Sequence, residues 1–201
     1  MQSEALVGPQ ILADGNIARL RQSKGGELIV SELHGKFFEQ NYRGNLFHAT
    51  VGTAGVALAV AGTTAGIALA NPAGSGRLVS LVRVTFGLVS GTLVVGTIMH
   101  GVNTNLIAAP VTGTALVPIP GRIGSGFQPS AKAFVTATLP VAQTPLRPFA
   151  NKAATPPFGL YSEDVDGQMI LEQGATWSLF VVGADTTPLE IVGVTWEEVA
   201  F

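Results

Sequence analysis

The sequence predicts an all-β protein, an antiparallel β-sandwich of jelly-roll type, with an extended N-terminal arm in residues 1–45 and the body in residues 46–201. Three observations carry this prediction. No segment has the periodicity of a long amphipathic helix. Runs rich in Val, Ile, Leu, Thr and Phe recur between clusters of Gly, Pro and Asn, which is the pattern of short strands and turns. The number of such runs suits two Greek-key sheets of about eight strands in all.

Residues 1–45 read as the arm. Gly8-Pro9, Asp14-Gly15-Asn16 and Lys24-Gly25-Gly26 place turn signals at short intervals. Residues 27–33 have strand character, and residues 35–42 suit a short helical turn carrying Phe37, Phe38 and Tyr42. Such an arm buries little against itself. These aromatics, with Phe47 just beyond, are expected to dock on the body or on an adjacent subunit.

From Leu46 onward the pattern is β. Residues 56–60 and 67–70 flank a Gly-bounded stretch, Gly62 to Gly66, and predict a hairpin. Asn71-Pro-Ala-Gly-Ser-Gly76 is a clear breaker. In the next run Leu78, Ser80, Val82, Val84 and Phe86 alternate with Arg77, Val79, Leu81, Arg83 and Thr85. Both sides are largely apolar, so a central strand covered on both faces is expected, with residues 91–100 returning as its partner. Residues 101–160 hold nine of the twelve prolines and read as looser, with short strands near 106–109, 115–117 and 133–138. Residues 168–172, 175–182 and 189–197 are again strand-like, the last two joined by a loop of hairpin length.

Charge is partitioned along the chain. The first 45 residues carry five acids and five bases. From Leu46 to Leu160 there are six bases (Arg77, Arg83, Arg122, Lys132, Arg147, Lys152) and no acid. From Tyr161 onward there are eight acids and no base, so the net charge of −2 hides the division. Only 12% of residues are charged, about half the usual share, while 47% are hydrophobic. A surface this poor in charge is expected to be covered by copies of the chain or by neighbours.

Several functions are disfavoured. With no cysteine there are no disulfides, thiolate metal sites or cysteine nucleophiles. No basic run offers a nucleic-acid footprint. Met1-Gln2-Ser3-Glu4 lacks the basic and apolar regions of a secretory signal, so assembly in the cytoplasm is expected. Residues 49–70 are 22 uncharged positions, but Gly, Ala and Thr dominate them. The Gly62-to-Gly66 spacing is read as a turn between strands and not as a membrane helix face.

Chemical constellations are sparse. The histidines (His34, His48, His100) include no H-x-x-x-H pair, although His48 and His100 could meet across strands. Glu163-Asp164-Val165-Asp166-Gly167 lacks the calcium-loop alternation and reads as a polar turn. The glycine-rich stretches 71–77 and 121–126 have neither a phosphate-loop lysine nor the dinucleotide spacing. Trp177 and Trp196 in neighbouring runs could stack a sugar, but core packing is the stronger expectation. No catalytic, cofactor-binding or metal-ligating residue is assigned. Arg83, in an apolar run, is expected to pair with a carboxylate from the acidic final segment.

Three stretches carry a resemblance: Gly26-Glu-Leu-Ile-Val-Ser-Glu-Leu-His-Gly-Lys-Phe-Phe-Glu39, Arg43-Gly-Asn-Leu-Phe-His-Ala-Thr50 and Asn71-Pro-Ala-Gly-Ser-Gly-Arg-Leu-Val-Ser80. Together they resemble small head or capsid-associated virion proteins of tailed bacteriophages. The resemblance implies a non-enzymatic capsid decoration or cement protein, a homotrimeric β-sandwich located in the virion. Its partners would be itself and the major capsid protein or another virion protein, with neither nucleic acid nor membrane. Phe37, Phe38, Tyr42, Phe47 and Arg83 are the expected assembly residues. The alternative is a carbohydrate- or receptor-binding sandwich of a phage tail or collar, using Trp177, Trp196 and the acidic turn.

Overall fold

A computed structural model describes residues 35–91, 95–104, 109–152, 160–183 and 188–200. They form one short helix, α1 (Phe38–Arg43), and twelve strands: β1 (Leu46–Thr50), β2 (Thr64–Ala70), β3 (Arg77–Ser90), β4 (Gly96–Asn103), β5 (Thr112–Ala115), β6 (Ile119–Pro120), β7 (Lys132–Thr138), β8 (Thr144–Lys152), β9 (Tyr161–Asp164), β10 (Ile170–Leu171), β11 (Thr176–Val182) and β12 (Leu189–Ala200). The strands make two antiparallel sheets, one in the order β10-β3-β12-β1-β6 with β9 also on β3, the other β5-β7-β2-β11-β4-β8. The all-β sandwich expected from the sequence is therefore the architecture found.

With β5, β6 and β7 set aside, the pairing is nested. The first strand pairs with the last (β1·β12), β2 pairs with β11, β3 with β9 and β10, and β4 with β8. Contacts β12·β3 and β11·β4 then join these pairs into the two sheets. The insertion between β4 and β8 widens both sheets on one side, β6 beside β1 and β7 with β5 beside β2.

One apolar core lies between the sheets. Phe47, Val79, Leu81, Val84, Phe86, Val192, Val194 and Trp196 from the first sheet meet Ile67, Leu69, Ile98, Trp177, Leu179 and Val181 from the second. Each fully buried large side chain contributes about 1.5–3 kcal/mol. A second cluster on the outer face of β2 (Ala68, Ala70 with Val111, Ala137 and Leu139) is covered by the insertion. The segment after β7 crosses that face: Leu139 and Gln143 N–H donate to Thr63 and Gly62, Gln143 Oε1 accepts from Ser178 Oγ at 2.5 Å, and Asn103 holds the Val141 carbonyl at 2.6 Å.

The structure departs from the sequence reading at several elements. The alternation of β3 switches midway. Trp196 pairs with Leu81 but Thr195 with Arg83, so Val82 is an extra, bulged residue. Odd residues face the core before it (Val79, Leu81) and even ones after it (Val84, Phe86). Residues 56–60 do not form a hairpin with β2. They run across it, bridging Glu190 and Val181, because Gly66 has no side chain where a Cβ would meet Ala57 O at 2.8 Å and Leu58 Cδ2 at 2.9 Å. β4 is not the partner of β3 but lies in the opposite sheet, and β11 and β12 likewise belong to different sheets. β8 and β9 were not expected as strands. The predicted run near 106–109 falls mostly outside the described residues.

The chain divides into two units, Met1–Phe38 and Glu39–Phe201, so the boundary falls before α1 is complete and not after residue 45. In the first unit the described residues are 35–38, where the Phe38 N–H donates to Gly35 O and the Lys36 ammonium lies 5.0 Å from the centre of the Phe37 ring.

Candidate functional site

The basic middle and the acidic final segment meet inside one chain. Arg83 on β3 donates to Asp164 on β9 at 2.5 Å, the partner type expected, although both side chains are more than half exposed. Arg147 on β8 pairs with Glu163 on β9. At the far end of β8, Lys152 Nζ lies 2.6 Å from Glu190 Oε1 with side-chain exposures of 1% and 0%. The other Glu190 oxygen accepts the Leu58 N–H at 3.2 Å, and the Glu190 and Val56 backbones exchange hydrogen bonds at 2.8 and 2.9 Å. This buried pair thereby holds the crossing segment 56–60 in place. Glu198, also buried, accepts from the Ser130 and Ala131 N–H groups and from the Trp196 indole, tying the insertion to β12.

A second polar chain links the two sheets. Trp177 Nε1 on β11 donates to His100 Nδ1 on β4 at 2.9 Å. The imidazole proton therefore sits on Nε2, which donates to Glu163 Oε2 at 2.8 Å. Glu163 Oε1 accepts from Arg147, and Arg147 reaches Gln168 Oε1 at 2.7 Å. Burial lowers the His100 pKa, opposed by Glu163 and assisted by Arg147. The His–carboxylate pair has the composition of a catalytic dyad, but His100 is fully buried and both ring nitrogens are occupied within the fold. His48 lies in the other sheet, its Nδ1 2.9 Å from Thr195 Oγ1, with its pKa also lowered by burial. The two histidines thus belong to separate networks. Among the described residues no group of three His, Cys, Asp or Glu side chains could hold a metal ion.

The predicted aromatic residues divide. Trp177 and Trp196 are both fully buried, so neither presents a face to a sugar ring. Phe47 is also a core residue, its ring 5.9 Å from that of Trp196. Its signal in the sequence, an aromatic next to the arm, did not reveal that β1 lies inside the first sheet. Phe38 and Tyr42 are exposed and Phe37 is half-buried. Tyr42 is covered on one face by the Arg122 guanidinium, 5.1 Å from the ring centre.

Beside that pair lies an apolar surface that sequence reasoning missed. Val117 and Ile123 are 84% and 86% exposed, Ile119 of β6 is 55% exposed, and Phe127 stands over Gly44. Gly44 has φ +77°, and a Cβ there would lie 2.4 Å from the Phe127 ring. These residues are isolated among Pro, Gly and Ser, without strand alternation. Their one signal is that large apolar residues recur in a segment too broken to form a core strand. Among the described residues no helix is long and apolar enough to cross a membrane.

Comparison with known protein families, with curated proteins and with solved structures finds no match to this chain.

Proposed function

We propose that this chain is a non-enzymatic structural component of a phage virion, a decoration or cement protein that forms a homotrimer and binds the major capsid shell or another virion protein. The nested pairing supports a jelly roll, since a single long hairpin rolled into two sheets produces that order, and capsid domains use this architecture. Fold alone does not assign function, so the reading rests on the surface. The observation that carries it is the exposed apolar group Val117, Ile119 and Ile123 beside Tyr42 and Arg122. A protein with so few charges, several of them paired within the chain, leaves a weakly charged exterior suited to association. The carbohydrate-binding alternative has no support from Trp177 and Trp196, which are buried.

The test is Val117→Asp combined with Ile123→Asp. Both side chains point to solvent, so the β circular-dichroism spectrum and the melting temperature should hold, while light-scattering mass falls to the monomer and co-sedimentation with capsid shells is lost. Unchanged mass and unchanged shell binding would exclude this surface. A wild-type chain that is monomeric and indifferent to shells would exclude the virion reading.

A further inference from the structure

We propose that His100 is an acid-sensitive latch between the two sheets: protonation of its Nδ1 breaks the link from β4 and β11 to β9 and loosens the edge formed by β8 and β9. This goes beyond the proposed function and does not depend on it.

The argument begins with hydrogen-bond direction. The indole N–H of Trp177 can only donate, so His100 Nδ1 must accept and cannot carry a proton while that 2.9 Å contact stands. Nε2 already carries one and gives it to Glu163. A second proton would set two donors face to face. Neither ring has room to rotate away. Trp177 and His100 are both fully buried, their ring centres are 5.9 Å apart, and Phe149 packs edge-on to the imidazole at 5.4 Å. The imidazolium thus requires either the indole or the histidine to leave its place.

The groups facing His100 fix the sign of the effect. β9 presents Glu163, which favours the cation. β8 presents Arg147, which disfavours it and holds the same carboxylate, together with the uncharged Phe149; β11 presents only Trp177. Desolvation is the largest influence and lowers the pKa from 6.5. The unfolded chain then binds more protons than the folded one as pH falls below 6.5, so stability is complete above that value and is lost on acidification. One proton taken up on unfolding raises the unfolding constant by up to about tenfold per pH unit. His48 acts in the same direction, so it must be separated by assignment and by a His48→Asn control.

Opening is specific in place. Loss of the His100–Glu163 bond frees Glu163 and with it Arg147, whose second contact is Gln168 in the turn before β10. The strands released are the edges β8 and β9, whereas β12 and β3 keep their ladder.

The experiment is an NMR titration of the assigned imidazole nitrogens in the full chain from neutral to acidic pH, with amide hydrogen exchange on β8 and β9, in wild type and in Trp177→Phe. The expected wild-type result is a neutral Nε2–H tautomer that persists well below the ordinary histidine midpoint. Its loss should coincide with faster exchange in β8 and β9 before β3 and β12. Trp177→Phe keeps a ring but removes the donor, so the His100 midpoint should rise and the acid-linked exchange should shift with it. A His100 that titrates at its ordinary midpoint in an otherwise unchanged wild-type fold overturns the proposal. So does a proton found on Nδ1 at neutral pH, or exchange that quickens uniformly through both sheets. If Trp177→Phe does not fold, the wild-type tautomer and exchange pattern decide alone.

Discussion

Lys152 and Glu190 form a salt bridge with almost no access to water, and each was set far apart in the chain by the charge partition. Burying two ions is expensive, and the pair offsets that cost only while both members are present. Removing one leaves an uncompensated charge. Glu190→Ala should therefore cost about 3–5 kcal/mol, measured by denaturant unfolding, and should release residues 56–60, because the Leu58 N–H loses its acceptor as well. Replacing both members by apolar residues of similar volume, Lys152→Met with Glu190→Leu, should recover much of the loss. An equal loss in the single and double variants would show that packing, not the lone charge, sets the effect. By contrast the Arg83–Asp164 bridge is open to solvent and belongs to the class of exposed pairs worth about 0–1 kcal/mol.

Among the elements, β8 was the least legible. It carries Pro145 and Pro148, and it follows a region so rich in proline that loops are the natural reading. Its place resolves the conflict: β8 is the outer strand of its sheet, where a missing N–H on the open side costs nothing and denies a template to other chains. Pro145→Thr with Pro148→Thr should restore edge donors and produce concentration-dependent association beyond the parent oligomer, seen as rising mass in light scattering. If the mass does not change at any concentration, the prolines are not protecting the edge. β9 was missed for a related reason, since Glu163 and Asp164 look like part of an acidic turn. The turn is real but begins later, with Asp166 and Gly167 at φ 46° and 81° and backbone bonds to the bulge at Val82. The bulge itself has no sequence mark, because Val82 is as good a strand residue as its neighbours.

At the scale of the molecule, nesting means that almost every strand pairs with one distant in sequence, β1 with β12 most of all. Such a topology leaves little to be stabilised locally, so the sandwich depends on the closure of its core as a whole. The charge pattern has a consequence at the same scale. Because Arg83, Arg147 and Lys152 find their partners within the chain, association proposed through Val117, Ile119 and Ile123 should be apolar in character. Raising salt should leave the oligomer intact or strengthen it, measured by light scattering across a salt series; dissociation at high salt would place ion pairs at the interface instead.

By itself the sequence determined the class of fold, the presence of β2, β3, β7, β11 and β12, the core role of the two tryptophans, and the complementary charges of middle and end. These follow from local properties: alternation, turn residues, side-chain size and sign of charge. Tertiary structure alone decided which strands share a sheet, that Phe47 lies inside, that the histidines stand apart, and that Lys152 meets Glu190 in the dry interior. The physical reason is that these depend on which distant backbone a strand pairs with, and an apolar strand can satisfy its hydrogen bonds with many partners. Only the joint demands of one shared core, a bulge that turns a strand over and buried polar groups that must be matched select a single arrangement.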